Sequence, residues 1–168
     1  MAAGVVCVCV GLGVLLHMQV EYDVPKCDPE VRGCSKDPKS GRWIHTIRGE
    51  YAGNGDIVAA HFHCHAPTCK SMSMYTCPAT LAAGECNETT GTLICTEEPV
   101  YGGTGMIDNK AMDEPGFILQ PPCLFGSAAQ GLQTPPAATP TMFTVKTAYA
   151  DYGHHGEMAW QQMYVVQK

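Results

Sequence analysis

The sequence predicts an all-β chain: an antiparallel β-sandwich of jelly-roll type, supported by disulfides and with little helix. Three observations carry that expectation. Charged residues make up only 15% of the 168, against roughly 25% in ordinary globular chains, so this is not a helix-bundle composition. Gly (18) and Pro (12) are frequent, as short strands joined by many turns require. Apolar and polar residues alternate in several stretches bounded by Gly, Pro, Asn or Asp, the two-residue period of a strand with one face buried. The length suits one domain with a sizeable core and leaves no room for two catalytic domains of ordinary size.

Residues 1–20 form a nearly uncharged apolar segment, read either as a signal-like core or anchor or as the first strand. No Lys or Arg precedes it, and Gly4, Gly11 and Gly13 with His17 weaken a spanning helix. His17 to Val24 alternates and is rich in β-formers, which favours a start running into the first strand, with a single β-sandwich domain over 21–168. Pro25 to Gly41 reads as a loop closed by Cys27 and Cys34. Trp43 to Tyr51 alternates as a strand, Gly53-Asn54-Gly55 is a turn, and Ile57 to Ala60 leads into the histidine-rich strand described below. Ser71 to Tyr75 and Thr92 to Cys95 read as a hairpin.

Tyr101-Gly102-Gly103-Thr104-Gly105 has the look of a phosphate loop, but no Gly-Lys-Ser/Thr and no helix pattern follow, so it is a plain loop. Gly116 to Leu119 reads as a short buried strand, Gln133 to Pro140 as a surface loop, and Met142 to Ala148 and Ala159 to Val166 as the last strands. Nothing from Val24 onward is long and apolar enough to span a membrane.

Ten cysteines point to an oxidising compartment, hence a secreted or extracytoplasmic chain, with anchoring through the N-terminal segment as an alternative. The expected local pairs are Cys27 with Cys34 and Cys86 with Cys95. Asn87-Glu88-Thr89 is a glycosylation sequon in a polar segment. A net charge of −6 with only ten Lys and Arg, and no basic stripe, argues against nucleic-acid binding.

His61-Phe62-His63-Cys64-His65 carries the functional signal. On a strand the three imidazoles project from one face while Phe62 and Cys64 point the other way. Neutral imidazole suits copper, zinc, nickel and iron. A second cluster, His154-His155-Gly156-Glu157-Met158, can add a nitrogen or a thioether, and thioether favours cuprous copper. Glu157 is a candidate to orient a ligand imidazole through its free N–H. The plain alternatives are surface or core histidines, an ordinary core Met158 and a solvated Glu157. A Cys/His zinc site through Cys64 and Cys69 is a further alternative, against which a Cys64–Cys69 disulfide is the stronger expectation in an oxidising compartment.

These two motifs resemble the C-terminal catalytic domain of the ascorbate-dependent type II copper monooxygenases, the peptidylglycine α-hydroxylating and dopamine β-monooxygenase family. Val58-Ala59-Ala60-His61-Phe62-His63 resembles the family's apolar strand ending in His-x-His, and Gly156-Glu157-Met158 with Trp160 to Val166 resembles its late glycine turn, methionine and aromatic strand. Gly116 to Leu119 with Cys123 is similar to a further family segment. A plant stress-induced nodulin-like family with a Gly-His-x-His motif is also similar.

The resemblance implies one copper ion on His61, His63 and Met158, with His65, His154 or His155 as additional ligands or supports, and ascorbate as a possible reductant. The chain departs from the family in two ways. Ala159 stands where a cysteine commonly follows the methionine, and there is no room for the second, three-histidine copper domain that supplies an electron. Three functions follow as expectations: an extracytoplasmic copper-binding domain, a copper monooxygenase needing ascorbate or a partner subunit as electron source, or a disulfide-stapled structural or interaction sandwich.

Overall fold

The computed structural model of the chain describes residues 4–10, 13–102 and 118–167. Strands β1 (Gly4–Val10) and β2 (Gly13–Val24) form a hairpin, and β3 (Cys34–Lys36), β4 (Trp43–Tyr51), β5 (Gly55–His63) and β6 (Cys69–Thr76) follow. After these come β7 (Thr92–Glu97), β8 (Val100–Tyr101), β9 (Ile118–Leu119), β10 (Cys123–Leu124), β11 (Ala137–Ala138), β12 (Met142–Tyr149) and β13 (His154–Val166). The helical content among the described residues is two single 3₁₀ turns, Ala83–Glu85 and Ala128–Gln130. No described helix is long and apolar enough to cross a membrane.

One sheet runs β1-β2-β13-β5-β10 with β11 also on β5, and the other runs β3-β4-β12-β6-β7. The chain passes repeatedly from one sheet to the other, and β2, β13, β5 and β10 face β4, β12, β6 and β7. That order is a jelly roll, and all of its pairings are antiparallel. The β8–β9 pair is a separate ribbon. Leu119 is exposed and Ile118 only half-buried, so the short strand expected to be buried there is a surface one. Gly116, Phe117 and Gly103 to Gly105 lie outside the described residues. The expected surface loop 133–140 contributes β11, whose Ala138 is buried.

The core forms where the two inner faces meet. Ile57, Ala60 and Phe62 of β5 and Ala159, Met163 and Val165 of β13 pack toward Met72 and Met74 of β6 and Met142 and Ala148 of β12. Four unbranched methionines here fill irregular gaps that branched side chains would leave. Alternation is strict along β13, where Glu157, Ala159, Gln161, Met163 and Val165 are buried and the residues between them are not.

Four disulfides brace the fold: Cys27–Cys34, Cys64–Cys69, Cys77–Cys86 and Cys95–Cys123. They fit a non-cytosolic, oxidising compartment. The Cys27–Cys34 and Cys64–Cys69 expectations hold, and Cys86–Cys95 does not. Cys86 lies at the loop end of the β6–β7 connection beside Cys77, whereas Cys95 is buried further along β7 and crosses between sheets to β10.

Candidate metal site on the outer face of β5 and β13

The outer faces of β5 and β13 carry the site. The antiparallel register sets Trp160 opposite His63 and Gln162 opposite His61. Met158, two residues before Trp160, therefore lies on the same outward face, diagonal to His63. His61, His63 and Met158 are all half-buried, while the alternating Phe62, Cys64, Glu157 and Ala159 turn into the sandwich. The Cys64–Cys69 bridge ties the end of β5 to the start of β6 and so fixes where the histidine strand stops.

His65 follows β5. Its Nδ1 lies 2.6 Å from the Gly156 carbonyl and donates to it as N–H, which leaves Nε2 as the lone-pair nitrogen. The His63 and His65 rings stand edge to face with centroids 5.3 Å apart, and the Trp160 ring lies 5.8 Å from that of His63, also edge to face. Two imidazoles on one tetrahedral ion, with bonds of about 2.0 Å, would have centroids roughly 5 Å apart. Burial lowers the pKa of both His61 and His63, and the neighbouring His65 and His61 rings lower His63 further. Both imidazoles are thus held in the neutral form that ligates metals.

Glu97 on β7 is the carboxylate beside this face. Its side chain is 3% exposed, and Oε1 lies 3.7 Å from His61 Nδ1. Neither Glu97 oxygen nor His61 Nδ1 makes a hydrogen bond of ordinary geometry. Burial pushes the Glu97 carboxyl up to about 8, only partly opposed by the Phe62 backbone N–H. Sequence reasoning missed this residue: Glu97-Glu98 at a strand end reads as solvated charge, and only the crossing of β7 toward β10 carries it to His61.

Glu157 sits instead on the inner face, where Oε1 is 2.6 Å from Lys146 Nζ, with both side chains 1% exposed. It also accepts from the Thr68 hydroxyl and, at 3.1 Å, from the His65 backbone N–H. Burial alone would raise the Glu157 carboxyl, but Lys146 and these hydrogen bonds outweigh it and hold it below its ordinary value. Lys146 is pulled down to about 8 by burial, with Glu157 resisting. Glu157 therefore anchors the His65 turn from inside and does not touch the outer-face imidazoles through its carboxylate.

The second histidine pair is not gathered with the first. His154 Nε2 is 2.9 Å from Thr68 Oγ1 and 3.5 Å from Glu157 Oε2, so its ring belongs to the inner network. His155 is 91% exposed and pairs with Asp23 at 2.9 Å. The cause is a bulge: β13 takes three steps from His154 to Glu157 where β2 takes two from Val24 to Tyr22. Gly156 has φ +72°, the left-handed conformation that a glycine adopts at such a bulge. The extra residue inverts the alternation, so His154 and Met158 face opposite ways.

No group of three or more His, Cys, Asp or Glu side chains among the described residues is arranged to hold a metal ion. A metal on this face would have to be completed by the Met158 thioether. No protein-family model, curated protein or solved structure matches the chain.

Proposed function

We propose that this chain is an extracytoplasmic copper-binding domain in which His61, His63 and Met158 hold one ion, with His65 as the adjacent further imidazole. The β5–β13 register carries the reading, because it sets two imidazoles and a thioether on one face of two neighbouring strands although the motifs are far apart in sequence. The donor set fits cuprous copper, and the buried Glu97 carboxyl, 3.7 Å from His61 Nδ1 and not hydrogen-bonded to it in the free chain, would become the support a ligating imidazole uses, leaving Nε2 for the ion. Bound copper would supply one-electron redox chemistry. The residues of the chain would hold it in place: Glu97 lies beside His61 Nδ1, the Gly156 carbonyl orients His65, and Trp160 stands against His63.

The test is titration with Cu(I) and Cu(II) of the wild type, His63→Ala and Met158→Ala. Stoichiometric binding weakened by both changes, with Met158→Ala harming Cu(I) more than Cu(II), is the expected result. Binding unchanged by both sinks the site and leaves a disulfide-stapled scaffold. Should binding hold, oxygen consumption with ascorbate as reductant separates a monooxygenase from a copper carrier.

A further inference from the structure

A cavity of about 260 Å³ lies between β2 and β13 on one side and β4 and β12 on the other, on the opposite side of the first sheet from the histidine face. Val20, Ile47 and Ala159 give it apolar walls, and Tyr22, His45 and Lys146 give it a polar end. Its size falls just under the usual range of drug-sized pockets, roughly 300–1,000 Å³. A cavity built only of apolar groups stays dry, and one lined mainly by polar groups fills with water. This lining is mixed, as in a site for a small organic molecule.

The polar end is incomplete without a ligand. Tyr22 is 5% exposed, and its hydroxyl is buried with no hydrogen-bond partner among the described residues. The same holds for His45 Nδ1, and the two rings are 6.2 Å apart. The two atoms offer opposite functions. Burial, with the nearby Glu157, keeps the Tyr22 phenol protonated, so it is a donor. His45 is held neutral mainly by burial, with the Arg32 backbone opposing and Lys146 adding to the effect. In the neutral ring one nitrogen accepts, and in the tautomer with the proton on Nε2 the unpartnered Nδ1 is a bare acceptor. Lys146 does not introduce net charge, because Glu157 pairs with it at 2.6 Å.

We infer that this cavity binds a small uncharged organic molecule with a compact apolar body and a hydroxyl or carboxamide head, the head accepting from Tyr22 and donating to His45 Nδ1. Asp23 and Arg48 also line the cavity, but Asp23 pairs with His155, Arg48 with Glu50 and Glu88, and Lys146 with Glu157, so a charged head would be buried with no unpaired counter-ion to meet it. A head that only accepts or only donates would leave one of the two atoms unmet.

Benzyl alcohol and benzamide serve as probes, with toluene and benzoate as controls, in titrations followed by methyl NMR of Val20, Ile47 and Ala159. Both probes should shift these methyl signals with a common saturation curve and bind at least tenfold more tightly than either control. Tyr22→Phe should weaken both probes by about tenfold while the variant melts no lower than the wild type. Val20→Phe, which fills the cavity, should abolish the shifts, and it carries the test if Tyr22→Phe does not fold. Probe shifts that map elsewhere, controls that bind equally well, or binding that survives Val20→Phe would overturn the inference. So would the absence of any probe binding at millimolar concentration, which would mean a cavity occupied by water alone.

Discussion

Replacing Lys146 by Met should reveal how much of the sandwich depends on its buried ion pair. Lys146 and Glu157 are each 1% exposed and meet at 2.6 Å between the sheets. Met is close to Lys in volume, so packing is nearly preserved and the change isolates the charge. Removing one partner of a buried pair leaves the other charged and unpaired, which costs about 3–5 kcal/mol. Glu157 keeps its bonds from Thr68 and the His65 N–H, which places the loss toward the lower end.

For a domain of this size each kcal/mol moves Tm by about 2–4 °C, so Tm at pH 7 should fall by roughly 10 °C. The pH dependence fixes the cause. In the wild type the Glu157 carboxyl lies below its ordinary value, so its contribution is present above the unfolded pKa and is lost as pH falls. In the variant, burial without Lys146 puts the folded pKa above the unfolded one, so stability falls as pH rises through that range. The two denaturation curves should therefore converge as pH falls below the ordinary carboxylate range and be well separated at pH 7. Below pH 7 Lys146 itself, at about 8, stays charged and adds no slope. Adding Glu157→Gln to Lys146→Met should recover most of the loss. A pH-independent difference, or one under 0.5 kcal/mol, would refute the argument.

Tyr22→Phe should raise the stability of the free protein by about 1–2 kcal/mol, because it removes a buried hydroxyl that has no partner; a fall in Tm would show that the hydroxyl is satisfied. Cys95→Ser with Cys123→Ser opens a loop of sequence separation 28 that joins the two sheets, and should lose roughly 3–4 kcal/mol in urea denaturation. Glu97→Gln should weaken copper by roughly tenfold or more in competition with a chelator if the carboxylate orients His61. It should also flatten the pH profile of apo stability. A carboxyl at about 8 is protonated in the fold and ionised in the unfolded chain between pH 5 and 8, so the wild type loses stability as pH rises there and the variant should not.

The fold was legible because strand signals are local. Alternation in Trp43 to Tyr51, Met142 to Ala148 and Ala159 to Val166 marks strands whatever their partners, and composition excludes helices. The same locality explains the errors. Cys86 and Cys95 are close in sequence, but Cys95 faces across to the other sheet, which no spacing reveals. The outward face of His61 and His63 is legible because alternation alone predicts it, whereas Met158 enters through its thioether and the motif around it. His154 and His155 join the cluster only by proximity in sequence to Met158, and the glycine bulge turns His154 to the opposite face from Met158. Glu97 and the Tyr22–His45 cavity arise from packing of one sheet on the other, where no period in the chain gives a signal.

The two faces of β13 are mechanically linked, and the bulge is where the link acts. On the inner face, Glu157 holds the His65 backbone N–H and lies within 3.5 Å of the His154 ring, while Lys146 holds Glu157. On the outer face, the Gly156 carbonyl fixes the His65 ring. The position of Met158 relative to His63 is thus set by whether the extra residue stays between His154 and Glu157. A substitution at Gly156 strains this bulge directly, since L side chains rarely adopt φ +72°, even though a Cβ there would find space, its nearest neighbour being Glu21 Oε1 at 3.8 Å. Gly156→Ala should therefore cost about 1 kcal/mol through backbone strain alone. If the bulge shifts by one residue to relieve that strain, Met158 turns inward and its face is lost. Copper affinity that falls much further than stability would show that the bulge sets the face of the methionine; parallel losses would assign it to folding only.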